Sequence, residues 1–115
     1  MTAEKISFEQ KFSLLKTEYA LQLPHKVSEI AQRWRELNHV WALENLIILH
    51  RNVHTLTGTS GTFGFNEISG LARHLEIILK PFVANSDSSI ILSAEVTCDI
   101  DEKIAQLVTL VDSLH

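Results

Sequence analysis

The sequence has one cysteine, two prolines and four glycines in 115 residues. Cys98 alone cannot close an internal disulfide, so the fold is not disulfide-held and a reducing compartment is the simpler expectation. So little Gly and Pro excludes collagen-like and low-complexity chains and argues against a turn-rich all-β fold. No apolar run exceeds four residues, Leu46–Leu49 among them, far short of the roughly 20 that a membrane helix needs. Positive charge is scarce as well. Ten Lys and Arg face fourteen Asp and Glu, a net charge of −4, which argues against nucleic acid as a partner because phosphate binding needs a basic face. The start, Met1-Thr2-Ala3-Glu4-Lys5, has no apolar signal core. The expected location is the cytoplasm, without a membrane.

What is present is an ordinary globular composition, 45% apolar and 21% charged. Residues 1–115 read as a single domain, large enough to bury about two thirds of the surface its unfolded chain exposes. The apolar residues recur at helical spacing. Phe8, Phe12, Leu15 and Tyr19 form one row, continued by Leu23, Val27, Ile30, Trp34 and Leu37; such a row predicts a buried stripe on an α-helix. Pro24 falls inside it, so residues 8–38 are expected to be one kinked helix or two end-to-end helices. Asn38–Val40 reads as a connection. A third segment from about Ala42 turns Leu46, Leu49, Val53, Leu56, Ser60 and Phe63 inward, with a loop near Gly64. Asn66 suits an N-cap. Ile68, Leu71, Leu75, Ile78 and Phe82 stripe the fourth segment, and Pro81 sits near its end. Asn85–Ser89 reads as a polar loop. A last helix capped by Ser93 carries Ile100, Ile104, Leu107, Val111 and Leu114. The pattern predicts an all-α, antiparallel up-down four-helix bundle with an additional N-terminal helical segment, expected as a monomer.

Residues 50–64 break their own rules. Gly58, Gly61 and Gly64 lie three apart with four Thr around them, inside a helical pattern. An interior glycine costs about 1 kcal/mol against alanine, and such local conflict is expected where function overrides stability. His50, His54 and Gly58 are four apart and share a helix face. Val53 points to the core, so His54 is turned about 100° away, toward solvent. An exposed imidazole then stands beside a notch that another protein could enter. His25, His39 and His115 read as plain solvated residues, as does His74 at the border of this site.

Two chemistries compete at this row. An exposed imidazole is largely neutral near pH 7 and can act as a nucleophile. No GxxxxGK[ST] loop, no nucleotide-binding Gly-rich loop with its lysine and no carboxylate cluster for Mg²⁺ is present, so the chain has no recognisable ATP site of its own. Alternatively, His50 and His54 have the spacing of a zinc-binding helix. The residue after His50 is Arg51, not a general-base Glu, and a third ligand would have to come from elsewhere. The expected metal complement is none. Asp99, Asp101 and Glu102 read as acids favouring the start of the last helix, Cys98 as packed, Trp34 as core, and Trp41 as a staple before the third segment.

The run His54-Thr55-Leu56-Thr57-Gly58-Thr59-Ser60-Gly61-Thr62-Phe63-Gly64, followed by Leu71-Ala72-Arg73-His74-Leu75-Glu76, resembles the signature of histidine-containing phosphotransfer (HPt) domains. The resemblance implies a four-helix bundle whose His54 is the phosphoacceptor. It implies a phosphoryl carrier, not an enzyme, in a two-component phosphorelay. Its partners would be the receiver domain of a response regulator and a hybrid histidine kinase, with Mg²⁺ supplied by the receiver and no cofactor of its own. Gly58 would give the receiver clearance, with His50, Arg51, Thr57 and Gly61 at the docking face. The family usually has Lys three residues after the His; here that residue is Thr57. Arg51 or Arg73 could replace the lost cation, or Thr57 could donate a hydrogen bond. A helical interaction module that has lost phosphotransfer is the alternative reading.

Overall fold

The computed structural model describes residues 3–37, 43–84 and 93–114. Within them lie four helices: α1 (Ala3–Leu37), α2 (Leu43–Thr62), α3 (Asn66–Ala84) and α4 (Ala94–Ser113). Contacts run α1 to α2, α2 to α3, α3 to α4 and α4 back to α1, so each helix packs on two neighbours around one core. The pairing is antiparallel. Tyr19 meets Thr59 across α1 and α2, and Thr57–Ser69 and His54–Glu76 fix the α2–α3 pair. Trp34 of α1 donates its indole N–H to Asp101 of α4 at 2.5 Å, so Asp101 serves the core tryptophan instead of only favouring the helix start.

The buried stripes follow the sequence pattern closely. α1 supplies Tyr19, Leu23, Val27, Ile30, Trp34 and Leu37, α2 supplies Leu46, Leu49, Val53 and Leu56, and α4 supplies Ile100, Ile104, Leu107 and Val111. Ser60 is fully buried as well; its hydroxyl donates to the Leu56 carbonyl, which satisfies it within its own helix. On α3 the fully buried row is Ile68, Ala72, Leu75 and Leu79, while Leu71, Ile78 and Phe82 are only half-buried. α3 packs on both α2 and α4, so it needs a wider apolar face than a single row. Ser93 caps α4 as expected, its hydroxyl accepting from Val96 N–H at 3.3 Å.

Several expectations are corrected. α1 runs unbroken through the exposed Pro24, so of the two forms expected for residues 8–38 the single helix is the one observed, and the additional N-terminal segment is the first part of α1. Phe8, Phe12 and Leu15 are exposed, not buried. A 35-residue helix is about 52 Å long, while its neighbours of 19 or 20 residues span about 30 Å; α1 therefore outruns them. Asn66 is the first residue of α3, and the carbonyl of Phe65 takes the first helical bond, from Ser69 N–H. α3 ends at Ala84, shortly after Pro81, in keeping with that residue's expected place near the helix end. Leu114 and Cys98 are exposed. Asn38–Val40, Trp41, Asn85–Ser89 and His115 lie outside the described residues, as does the side chain of Lys5.

Candidate functional site

The site is built on the outward face of α2, and the inward face fixes its direction. Leu49, Val53 and Leu56 are buried, which forces the row His50, His54 and Gly58 round to the other side of the helix. The His54 side chain is 69% exposed. Its Nδ1 lies 2.5 Å from Oε1 of Glu76 on α3, whose side chain is only 22% exposed. An ionised carboxylate can only accept, so Nδ1 carries the proton and donates it. In the neutral ring the lone pair then resides on Nε2. The bundle thus holds the exposed ring by one nitrogen.

Glu76 is the residue that the motif reading did not assign. It stood inside the Leu75-Glu76 pair, without a role. The available signal was topological. Consecutive antiparallel helices joined by a short turn pair residues at comparable distances from that turn. His54 precedes Gly64 by ten residues and Glu76 follows it by twelve, which places the two side by side.

The three glycines of the segment separate into different roles. Gly64 has φ +84°, the left-handed region that glycine enters without strain, and it ends α2 before the turn into α3. A Cβ at Gly61 would come within 3.1 Å of Ser69 Oγ, and that hydroxyl donates to the Thr57 carbonyl at 2.8 Å. Gly61 thus lets α3 approach α2. At Gly58 a Cβ would meet nothing within 4 Å. It is exposed, in the last turns of α2, and no packing contact among the described residues requires a glycine there.

The hydroxyls around it are spoken for. Thr57 donates to the Val53 carbonyl at 3.0 Å, Thr59 to Thr55 at 2.8 Å and Thr62 to Gly58 at 2.9 Å. These back-bonds reconcile so much Thr and Ser with a helix. Thr57 is half-buried and turned along its own helix, whereas Arg51 and Arg73 are exposed. Arg51 lies one turn before His54, and Arg73 one turn before Glu76 on α3, so one cation flanks the imidazole from each helix. Neither makes an ion pair among the described residues. His50 is half-buried; its ring lies nearly parallel to that of His54, with centroids 6.5 Å apart and planes 12° apart, and its Nε2 is buried without a partner. His25 and His74 are exposed. Among the described residues no group of three or more His, Cys, Asp or Glu is placed to hold a metal ion, and no helix is long and apolar enough to cross a membrane.

Four antiparallel helices carrying an outward imidazole, anchored through one nitrogen and beside an exposed glycine, define a helical-bundle protein with a surface histidine. Residues 23–113 match the family model of the Hpt domain, and the chain belongs to that family. No curated protein and no solved structure matches it significantly. Its class of work is phosphotransfer in two-component signalling, in which Hpt domains act as phosphocarriers together with receiver domains and kinases.

Proposed function

We propose that His54 Nε2 is the phosphoacceptor and that the chain passes a phosphoryl group between a receiver-domain aspartate of a hybrid histidine kinase and that of a response regulator. The observation that carries this reading is the Nδ1–Glu76 hydrogen bond on an otherwise exposed ring. In the forward step the Nε2 lone pair attacks the phosphorus of an aspartyl phosphate. The N–P bond forms, the P–O bond to the aspartate breaks, and the carboxylate leaves with its electron pair. The positive charge that the ring gains is offset by Glu76, which accepts the Nδ1 hydrogen bond throughout. The reverse step returns the phosphoryl group to a second receiver. The chain contributes no cofactor; Mg²⁺ belongs to the receiver's carboxylates, and energy comes from the donor, not from ATP bound here.

Gly58 gives the receiver backbone room to approach, and Arg51 with His50 borders the contact. The family's usual lysine position is Thr57, whose hydroxyl is committed to Val53. Arg51 and Arg73 are therefore the side chains that support the phosphoryl charge. Arg73→Ala and Arg51→Ala should each shorten the phosphohistidine lifetime or slow transfer by several-fold, and Thr57→Lys should do the opposite. The test of the acceptor is transfer of labelled phosphate from a panel of phosphorylated receiver domains. His54→Gln abolishes labelling, and His50→Gln leaves it substantial. Labelling that survives in His54→Gln would overturn the assignment. A wild-type chain that binds receivers but takes no label would favour an interaction module without phosphotransfer.

A further inference from the structure

The first half of α1 has an apolar stripe that its own bundle does not cover. Phe8, Phe12 and Leu15 share a helix side with Tyr19, yet they are 70%, 40% and 52% exposed. Phe12 meets the bundle at Phe63, with ring centroids 5.6 Å apart. Lys16 is held at the stripe's edge over the Phe65 ring. This segment also precedes residues 23–113, the part that matches the family model. Single exposed apolar residues are normal, but a row of two Phe and one Leu on one helix face is the pattern of a helix that pairs.

The charges beside the stripe indicate what it pairs with. At 100° per residue, Glu9 and Lys16 fall on one flank and Lys11 and Glu18 on the other. Each flank has one acid and one base, and the order reverses from flank to flank. When a helix pairs antiparallel with its own copy about a two-fold axis, each flank meets itself reversed. Glu9 then faces Lys16 of the second copy, and Lys11 faces Glu18 of the second copy, on both sides of the axis. A parallel pair would also oppose unlike charges, but the stripe continues into the row that faces the core, so both bundles would compete for the same space.

We propose that residues 8–18 of α1 form an antiparallel two-fold contact with a second copy of this chain, with Phe8, Phe12 and Leu15 as its apolar seam. About three turns of helix bury less than the roughly 1,200 Å² at the low end of specific interfaces. The dimer is therefore weak and reversible, and the monomer expected from the sequence is its dilute form. The contact adjoins the α2–α3 turn, where Phe12 and Lys16 meet Phe63 and Phe65, and lies on a different helix from His54, so it does not depend on the phosphotransfer reading.

Sedimentation equilibrium of the 115-residue chain over the micromolar range tests this. The mass should rise with concentration from 13.0 kDa toward twice that value. Phe8→Ser, at an exposed position, should stay monomeric at every concentration with unchanged helical circular dichroism. Lys11→Glu alone and Glu18→Lys alone should each weaken self-association about tenfold. An equimolar mixture of these two variants should restore it, because each then faces its complement only in an antiparallel pair. A mass fixed at 13.0 kDa for the wild type, undiminished association of Phe8→Ser, or a mixture no stronger than its parts would each overturn the proposal.

Discussion

Val53 and His54 are neighbours in sequence and about 100° apart around α2, yet they answer to different demands. On the side of Val53 every position is filled. Leu46, Leu49 and Leu56 pack into the core, and buried Ser60 bonds its own helix. On the side of His54 an imidazole stands in solvent, tied by one nitrogen, and Gly58 leaves a space that none of the described residues occupies. The contrast teaches that the inward face maintains the bundle, whereas packing among the described residues does not account for the outward face. Substitutions on the two faces should therefore separate stability from transfer.

The largest effect is expected on the inward face. Leu49→Ala should lower the unfolding free energy by about 2–5 kcal/mol through lost burial and a residual cavity, read from urea unfolding. Protein that remains folded should still take up phosphate. A fall in stability of similar size on replacing Arg51 by Ala would erase the contrast between the faces.

Next comes the α1–α2 contact. Burial pushes the Tyr19 phenol above its ordinary pKa, more than the hydrogen bond with Thr59 lowers it. The folded state thus keeps its proton where the unfolded chain has lost it. Stability should be flat through this group below about pH 10, fall as the pH rises further, and level off once the folded phenol also ionises. Tyr19→Phe should remove this alkaline loss in unfolding curves collected against pH.

The smallest effect belongs to the glycines. Gly58→Ala should stabilise α2 by up to about 1 kcal/mol, since a helical glycine is replaced and the new Cβ meets nothing. Gly61→Ala should gain less or lose, because its Cβ presses on Ser69 Oγ at 3.1 Å. Equal melting shifts for the two would mean that Gly58 is as constrained as Gly61. Gly58→Glu should instead slow transfer from receivers by crowding the notch.

Most of the fold was legible because periodicity encodes the buried face directly. Leu46, Leu49, Val53 and Leu56 could be assigned from spacing alone. Phe8, Phe12 and Leu15 show the limit. Their spacing marks a face as clearly, but spacing does not say whether a neighbouring helix is long enough to cover it, and α2 ends before it reaches them. On α3, one row was expected where two neighbours demand two. Of the candidate site, the outward placement of His54 and Gly58 on α2 was legible, where composition conflicts with pattern. Glu76 was not, since a single acid on an amphipathic helix has no local peculiarity; its importance arises only when α3 folds back along α2. Thr57 is similar. Its spacing from His54 allows a reach toward the ring, and only the structure shows its hydroxyl bonded to Val53 instead.

The central claim is that Glu76 holds the proton on Nδ1 and leaves Nε2 of His54 to accept phosphate. Nuclear magnetic resonance of the phosphorylated chain, labelled with ¹⁵N at histidine, reports the bonded nitrogen through its phosphorus coupling. The account predicts a single phosphohistidine, at His54 and at Nε2, with its signal altered in Glu76→Gln. Phosphate on Nδ1 of His54, or on any other histidine, would contradict it.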